Sequence, residues 1–168
     1  MRTIRPITES DIDAVATIHV RTWQHAYQGI IPDDHLASLD PAVNAERRRT
    51  QPAPAGSTTL VADEGGRIVG FVSFGPYRDD DSGAGELYAI YVAPDQQGNG
   101  AGRDLLAAAK GGLAALGFPA MRLWVLTDNH PSRRFYERMG LTPDGVTQTY
   151  TPRGTTVELP ETRYATPL

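Results

Sequence analysis

The stretch Glu86–Leu106, ELYAIYVAPDQQGNGAGRDLL, constrains the fold more than any other part of the chain. Leu87, Ala89, Ile90, Tyr91 and Val92 make a short apolar run rich in strand-favouring types, which predicts a buried strand. Pro94 and Asp95 stop it. Gln97, Gly98, Asn99, Gly100, Ala101 and Gly102 then form a tight loop. Arg103, Leu105, Leu106, Ala107 and Ala108 continue as a helix. Alternate glycines let successive backbone N–H groups turn inward, free of Cβ interference. A helix N-terminus behind such a loop attracts anions. The residues therefore predict a phosphate-bearing ligand at 97–103; the plainer reading is a loop that only turns the chain.

Two common phosphate signatures fail on residues. The nucleotide P-loop requires Lys followed by Ser or Thr after its last glycine, and here Gly102 precedes Arg103 and Asp104. The dinucleotide fingerprint G-x-G-x-x-G requires glycine where Arg103 stands. What remains is Gln-x-x-Gly-x-Gly between a strand and a helix. A second motif follows one strand later, Asn129-His130-Pro131-Ser132-Arg133-Arg134-Phe135-Tyr136-Glu137-Arg138-Met139-Gly140. The pair, in this order, resembles the GNAT superfamily of acetyl-CoA-dependent N-acetyltransferases. The second motif is similar to that family's Asn-x-x-Ala-x-x-Phe-Tyr-Glu-x-x-Gly element, with Ser132 in place of the small alanine. The phrase Trp23–Pro32 also looks like one GNAT branch that acetylates varied small molecules.

The resemblance implies an α/β, single-domain acyl-CoA N-acyltransferase fold over residues 1–168, a mixed central sheet flanked by helices. It implies acetyl-CoA as co-substrate, no metal, and acetyl transfer to a primary amine of a small molecule or peptide by direct attack in a ternary complex. In the family pattern Tyr136 lies by the CoA sulfur and is the general acid for the leaving thiolate; a phenol is protonated at neutral pH. A backbone N–H near Tyr91 or Val92 would hold the oxyanion, and the same strand would pair with the pantetheine amides. Asn129 would serve the pantetheine arm or its bound water. Gln97, Gly98, Asn99, Gly100, Ala101, Gly102 and Arg103 would hold the pyrophosphate. The resemblance often puts a carboxylate at Glu86, acting as base through water; the other reading is a solvated strand-end charge. His19 and His25 are lesser base candidates. A non-catalytic acyl-CoA-binding regulatory module is the alternative function. Many relatives dimerise, and a homodimer is compatible with the resemblance.

The remaining chain supplies the frame. Thr3–Ile7 suits a first strand, with Ser10 as N-cap of a helix carrying His19, Trp23, His25 and Tyr27. Those polar-tipped rings either pack the core or line an acceptor pocket. Further helical starts stand at Pro32 and Asp40-Pro41, the latter ending in Arg47-Arg48-Arg49, read as a solvated helix end. Thr58–Ala62 and Arg67–Gly75 form a hairpin around Asp63-Glu64-Gly65-Gly66. The acidic loop 76–85 serves solubility or draws a cationic amine. Helices are expected at Arg103–Leu116 and Ser132–Met139, with a strand at Ala120–Leu126 between them. Two late strands are expected at 144–151 and 154–159. A net charge of −4 without a basic stripe argues against nucleic acid. The chain has no cysteine, no apolar run near ~20 residues and no signal-peptide pattern, which together predict a cytoplasmic protein without a membrane span.

Overall fold

The computed structural model describes residues 1–79 and 83–168. Its strands are β1 (Arg2–Pro6), β2 (Thr58–Glu64), β3 (Arg67–Pro76), β4 (Gly85–Val92), β5 (Ala120–Leu126), β6 (Thr142–Tyr150) and β7 (Leu159–Pro167). They form one mixed sheet in the order β1-β2-β3-β4-β5-β7-β6. Among the described residues only β4 and β5 run parallel. The helices are α1 (Ile12–Ala26), α2 (Asp33–Ser38), α3 (Pro41–Thr50), α4 (Ala101–Ala115) and α5 (His130–Arg138).

The two faces of the sheet are covered differently. Leu105, Leu106, Ala109 and Leu113 recur at helical spacing on α4 and bury against Val72, Phe74, Leu87, Leu123 and Val125. Gly112 lets α4 come close, since a Cβ there would sit 2.7 Å from the Phe74 ring. Tyr136 of α5 joins the same cluster. On the other face Val15 and Ile18 of α1 pack on Val61 and Phe71. A second cluster there joins Ile31, Leu36 and Leu126 with Trp23, Tyr27 and Tyr150. No helix among the described residues is long and apolar enough to cross a membrane.

Several boundaries depart from the sequence reading. Three helices separate β1 from β2, one at each of the helical starts in the sequence. Ser10 lies within a short 3-10 turn, and Thr8 takes the cap position: its N–H and Oγ1 both donate to Asp11 Oδ2, at 2.8 Å each. The last strand is Leu159–Pro167, not 154–159. Pro160 and Pro167 read as strand breakers. Pro160 is nonetheless tolerated, because its carbonyl accepts from Thr127 N at 2.9 Å and its missing N–H leaves no donor to satisfy. In the acidic loop, residues 80–82 lie outside the described residues.

Candidate active site

The site begins with a break in the sheet. Between β3 and β4 the register steps from Ser73↔Ala89 to Phe74↔Leu87, leaving Tyr88 as a bulge. Parallel pairing of β4 with β5 covers only Gly85–Leu87 against Met121–Leu123. Beyond those three pairs the strands part, although β4 continues to Val92 and β5 to Leu126. A parallel sheet opens in this way where a ligand enters at the carboxyl ends of its strands. The β4 backbone from Tyr88 to Val92 is therefore unpaired toward β5.

Which amides face this gap follows from alternation. The Tyr91 carbonyl faces β3, lying 2.8 Å from where a Cβ on Gly70 would be. Ala93 N also faces β3, donating to Val69 O at 2.9 Å. Successive peptide groups point oppositely along a strand, so the N–H groups of Ile90 and Val92 face the gap. Of the two amides singled out in the sequence, Val92 points into the opening and Tyr91 away from it. Tyr91 contributes its side chain instead: Trp23 Nε1 donates to its hydroxyl at 3.0 Å.

The glycine-rich loop sits at the carboxyl end of β4. Gly98 and Gly100 have φ of +83° and +91°, open to glycine and strained for other residues. Gly100 is the N-cap of α4. Gly102 is needed for packing, not for its φ. A Cβ there would approach the Phe135 ring to 3.3 Å, so the glycine seats α5 against the start of α4. Gln97 Nε2 donates to Val92 O at 3.2 Å and ties the loop to the strand. Arg103 is exposed and its Nη2 lies 3.7 Å from a Cβ position on Gly100; Arg2 Nη1 lies as close on its own side. With the N-terminal amides of α4, these groups make a donor-rich cradle of the kind that suits an anion.

Tyr136 is buried on α5, between the rings of Phe135 and Tyr164 at centroid distances of 5.4 and 6.2 Å. Burial, reinforced by the nearby Tyr91 phenol, pushes its pKa well above the ordinary tyrosine value. Its hydroxyl has no hydrogen-bond partner among the described residues. It is a phenol held as the neutral acid with its proton unused. Asn129 caps α5, its Oδ1 accepting from Ser132 N at 3.4 Å, and is 5% exposed.

Glu86 is 2% exposed, so the solvated strand-end reading does not hold. Arg78 encloses it: backbone N and Nε donate to Oε1 at 3.1 and 3.3 Å, and Nη2 to Oε2 at 2.8 Å. The registers Glu86↔Arg122, Trp124↔Arg163 and Leu126↔Glu161 put these side chains on the α1 face of the sheet. His19 is removed from base duty. Arg48 Nη2 donates to its Nδ1 at 2.8 Å, and burial lowers its pKa to about 4. His25 is exposed on α1. Among the described residues no group of three or more His, Asp or Glu is placed to hold a metal ion.

This geometry has counterparts. The model of the acetyltransferase (GNAT) family matches residues 13–141. The chain belongs to the GNAT acetyltransferase family. It is 39% identical over 138 residues to an uncharacterised N-acetyltransferase, YuaI, of Bacillus subtilis, covering 82% of this chain and 78% of that one. Its fold matches the PaiA N-acetyltransferase of Thermoplasma acidophilum, solved with coenzyme A, at TM-score 0.70 and 18% identity, covering 96% and 98% of the two chains. It also matches YncA of Salmonella typhimurium, solved with its cofactor acetyl-CoA, at TM-score 0.69 and 24% identity, covering 99% and 94%. The chain is thus a GNAT-type N-acetyltransferase.

Within this GNAT chain the structure adds residues that the sequence reading missed. Arg2 of β1 donates to Glu64 and Asp104, and to Asn99 O and Oδ1 at 3.2 Å each, bracing the glycine-rich loop from 97 residues away. Glu161 of β7 accepts from Gln148 Nε2 at 2.7 Å. Burial raises its pKa above the usual carboxylate value, and Arg78 and Glu86 both lie within its electrostatic reach. An Asp or Glu after a proline in a late strand carries no motif, so no local signal could have singled it out.

Proposed function

We propose that residues 1–168 act as one domain that moves the acetyl group of acetyl-CoA to a primary amine of a small molecule or peptide, by direct attack in a ternary complex. The supporting observation is the open β4 edge with the unpartnered Tyr136 hydroxyl near Tyr91. Bound acetyl-CoA supplies a thioester carbonyl to the amine and a thiolate that needs a proton.

The chain's own residues fit that donor. Loop amides from Gln97 to Gly102, the α4 N-terminus and Arg103 hold the pyrophosphate. The free β4 edge receives the pantetheine amides as an added strand would, and Asn129 lies on its far side. The Val92 N–H meets the negative charge that develops on the carbonyl oxygen. Tyr136 gives its proton to the departing sulfur. Glu86 accepts the amine proton through water. The setting is the cytoplasm. A non-catalytic acyl-CoA-binding module accounts for the loop and the β4 edge but leaves Tyr136's free proton without a use.

Free-thiol release from acetyl-CoA across a panel of amines tests this function. Amine-dependent release is expected; tight acetyl-CoA binding with no release for any amine would replace enzyme by binding module. Two variants probe the parts. Gly100→Ala meets backbone strain of about 1–2 kcal/mol at φ +91° and should raise KM for acetyl-CoA about tenfold, with kcat less affected. Glu86→Gln should lower kcat about 100-fold with KM for acetyl-CoA little changed. Unchanged turnover transfers the base role away from Glu86, and Glu161→Gln then shows whether β7 carries it.

A further inference from the structure

The arginine run of α3 is not the solvated helix end its sequence suggests. Only Arg49 pairs with carboxylates, Glu9 at 3.2 Å and Asp13 at 3.0 Å. Arg48 turns inward and stacks on the Phe71 ring, 5.0 Å from its centroid. Its Nε donates to Asn44 Oδ1 at 2.9 Å and its Nη2 to His19 Nδ1 at 2.8 Å. Among the described residues Arg47, Arg48 and Arg153 have no carboxylate within 4.0 Å. A cation taken from water without a counter-charge is costly, and buried charges are ordinarily paired.

Beside these arginines lies a cavity of about 190 Å³. Its walls include His19, Trp23, Asn44, Arg47, Tyr150 and Arg153, and no Asp or Glu. The polar groups there are mainly donors. Because Arg48 donates to Nδ1, neutral His19 carries its proton on Nε2. The Asn44 carbonyl is already used by Arg48 and its Nδ2 lies 3.4 Å from His19 Nδ1, which leaves one amide N–H. Trp23 and Tyr150 supply flat apolar surface, their rings 6.4 Å apart. The volume holds about six water-sized groups at roughly 30 Å³ each.

The cavity adjoins the reaction site through one side chain. Trp23 lines it and donates its indole N–H to Tyr91 on β4. Tyr150 lines it too, and its phenol feels both Tyr91 and Glu161. We propose that this cavity, between α1, α3 and the β6–β7 connection, binds a carboxylate carried by the acceptor. The substrate class is then amino-carboxylic acids rather than simple amines. Arg47 and Arg153 contact the carboxylate, Arg48 positions His19 beside it, and the amine lies on the Tyr91 side of Trp23. The inference rests on the proposed acetyl transfer to amines.

The test compares matched pairs of acceptors, each an amino acid and its decarboxylated amine, in wild type and in Arg47→Gln/Arg153→Gln. Arg153 is exposed and Arg47 half-buried, so the variant should fold; its unfolding midpoint checks this. Wild type should prefer the acid by about tenfold or more in kcat/KM, the worth of a charged hydrogen bond. In the double variant the ratio should fall toward one. Benzoate, which lacks an amine, should compete with the acceptor in wild type and lose that competition in the variant. Equal use of acid and decarboxylated amine, or an acid preference that survives in the variant, overturns the proposal while leaving acetyl transfer intact. No thiol release with any acceptor would instead overturn the underlying function. Preference for aminoalkyl phosphates over the acids would overturn the carboxylate assignment.

Discussion

Tyr136→Phe should lower kcat about 100-fold or more while leaving KM for acetyl-CoA within about twofold. The substitution keeps the ring between Phe135 and Tyr164, so packing in that part of the core is retained. What is lost is one O–H group with no other partner among the described residues, so no buried acceptor is orphaned and folding should be little changed. The pH profile separates an acid from a packing role. Burial lifts the Tyr136 pKa well above its ordinary value of 10. Wild-type kcat should therefore show no alkaline fall assignable to this phenol below about pH 10. Steady-state and single-turnover rates together locate the defect in the chemical step. Full turnover in the variant, with acetyl-CoA still tightly bound, would remove Tyr136 from the reaction.

The second large effect is on stability in weak acid. His19 has its pKa lowered to about 4 from 6.5, first by burial and then by the charges of Arg48 and Arg47. Between these values the unfolded chain binds a proton that the folded chain refuses. Stability from this group is complete above pH 6.5, falls as pH drops toward 4, and is level below it. About 2 kcal/mol should be gone by pH 5, worth about 4–8 °C in Tm for a chain of this size. His19→Gln removes the titration while keeping an acceptor for Arg48, and its Tm should change much less between pH 7 and 5. Other groups do not mimic this. Asp11, Asp63 and Asp95 have lowered pKa values, so their losses come below their ordinary value of 3.8. Glu161, raised above 4.5, acts in the opposite sense and offsets part of the fall. Equal acid sensitivity of the wild type and His19→Gln would place the effect elsewhere.

What the sequence reveals here depends on how local each feature is. The strand–loop–helix unit at 86–106 and the element at 129–140 are contiguous, and their chemistry follows from spacing within a dozen residues. The hairpin at 63–66 is equally local, with Gly65 and Gly66 both at positive φ. Features set by tertiary pairing were hidden. The burial of Glu86 comes from Arg78, across the acidic turn. The inward face of Arg48 depends on His19, 29 residues earlier. Arg2 reaches Asn99 only because β1 lies at the sheet edge near the loop. The direction of the Val92 and Tyr91 amides depends on the register with β3, which the Tyr88 bulge shifts and no residue type announces.

The short pairing of β4 with β5 also has a mechanical consequence. Because β4 and β5 share only three residue pairs, the sheet consists of two leaves, β1–β4 and β5–β7–β6, joined along a short seam at one end. Helix α4 lies under β2–β4 and reaches β5, while α5 hangs from the second leaf and touches α4 through Phe135 at Gly102. A donor lying in the opening would bond to one leaf through the β4 backbone and to the other through α5. It would act as a missing strand that stitches the leaves together, so the substrate completes the architecture that positions it.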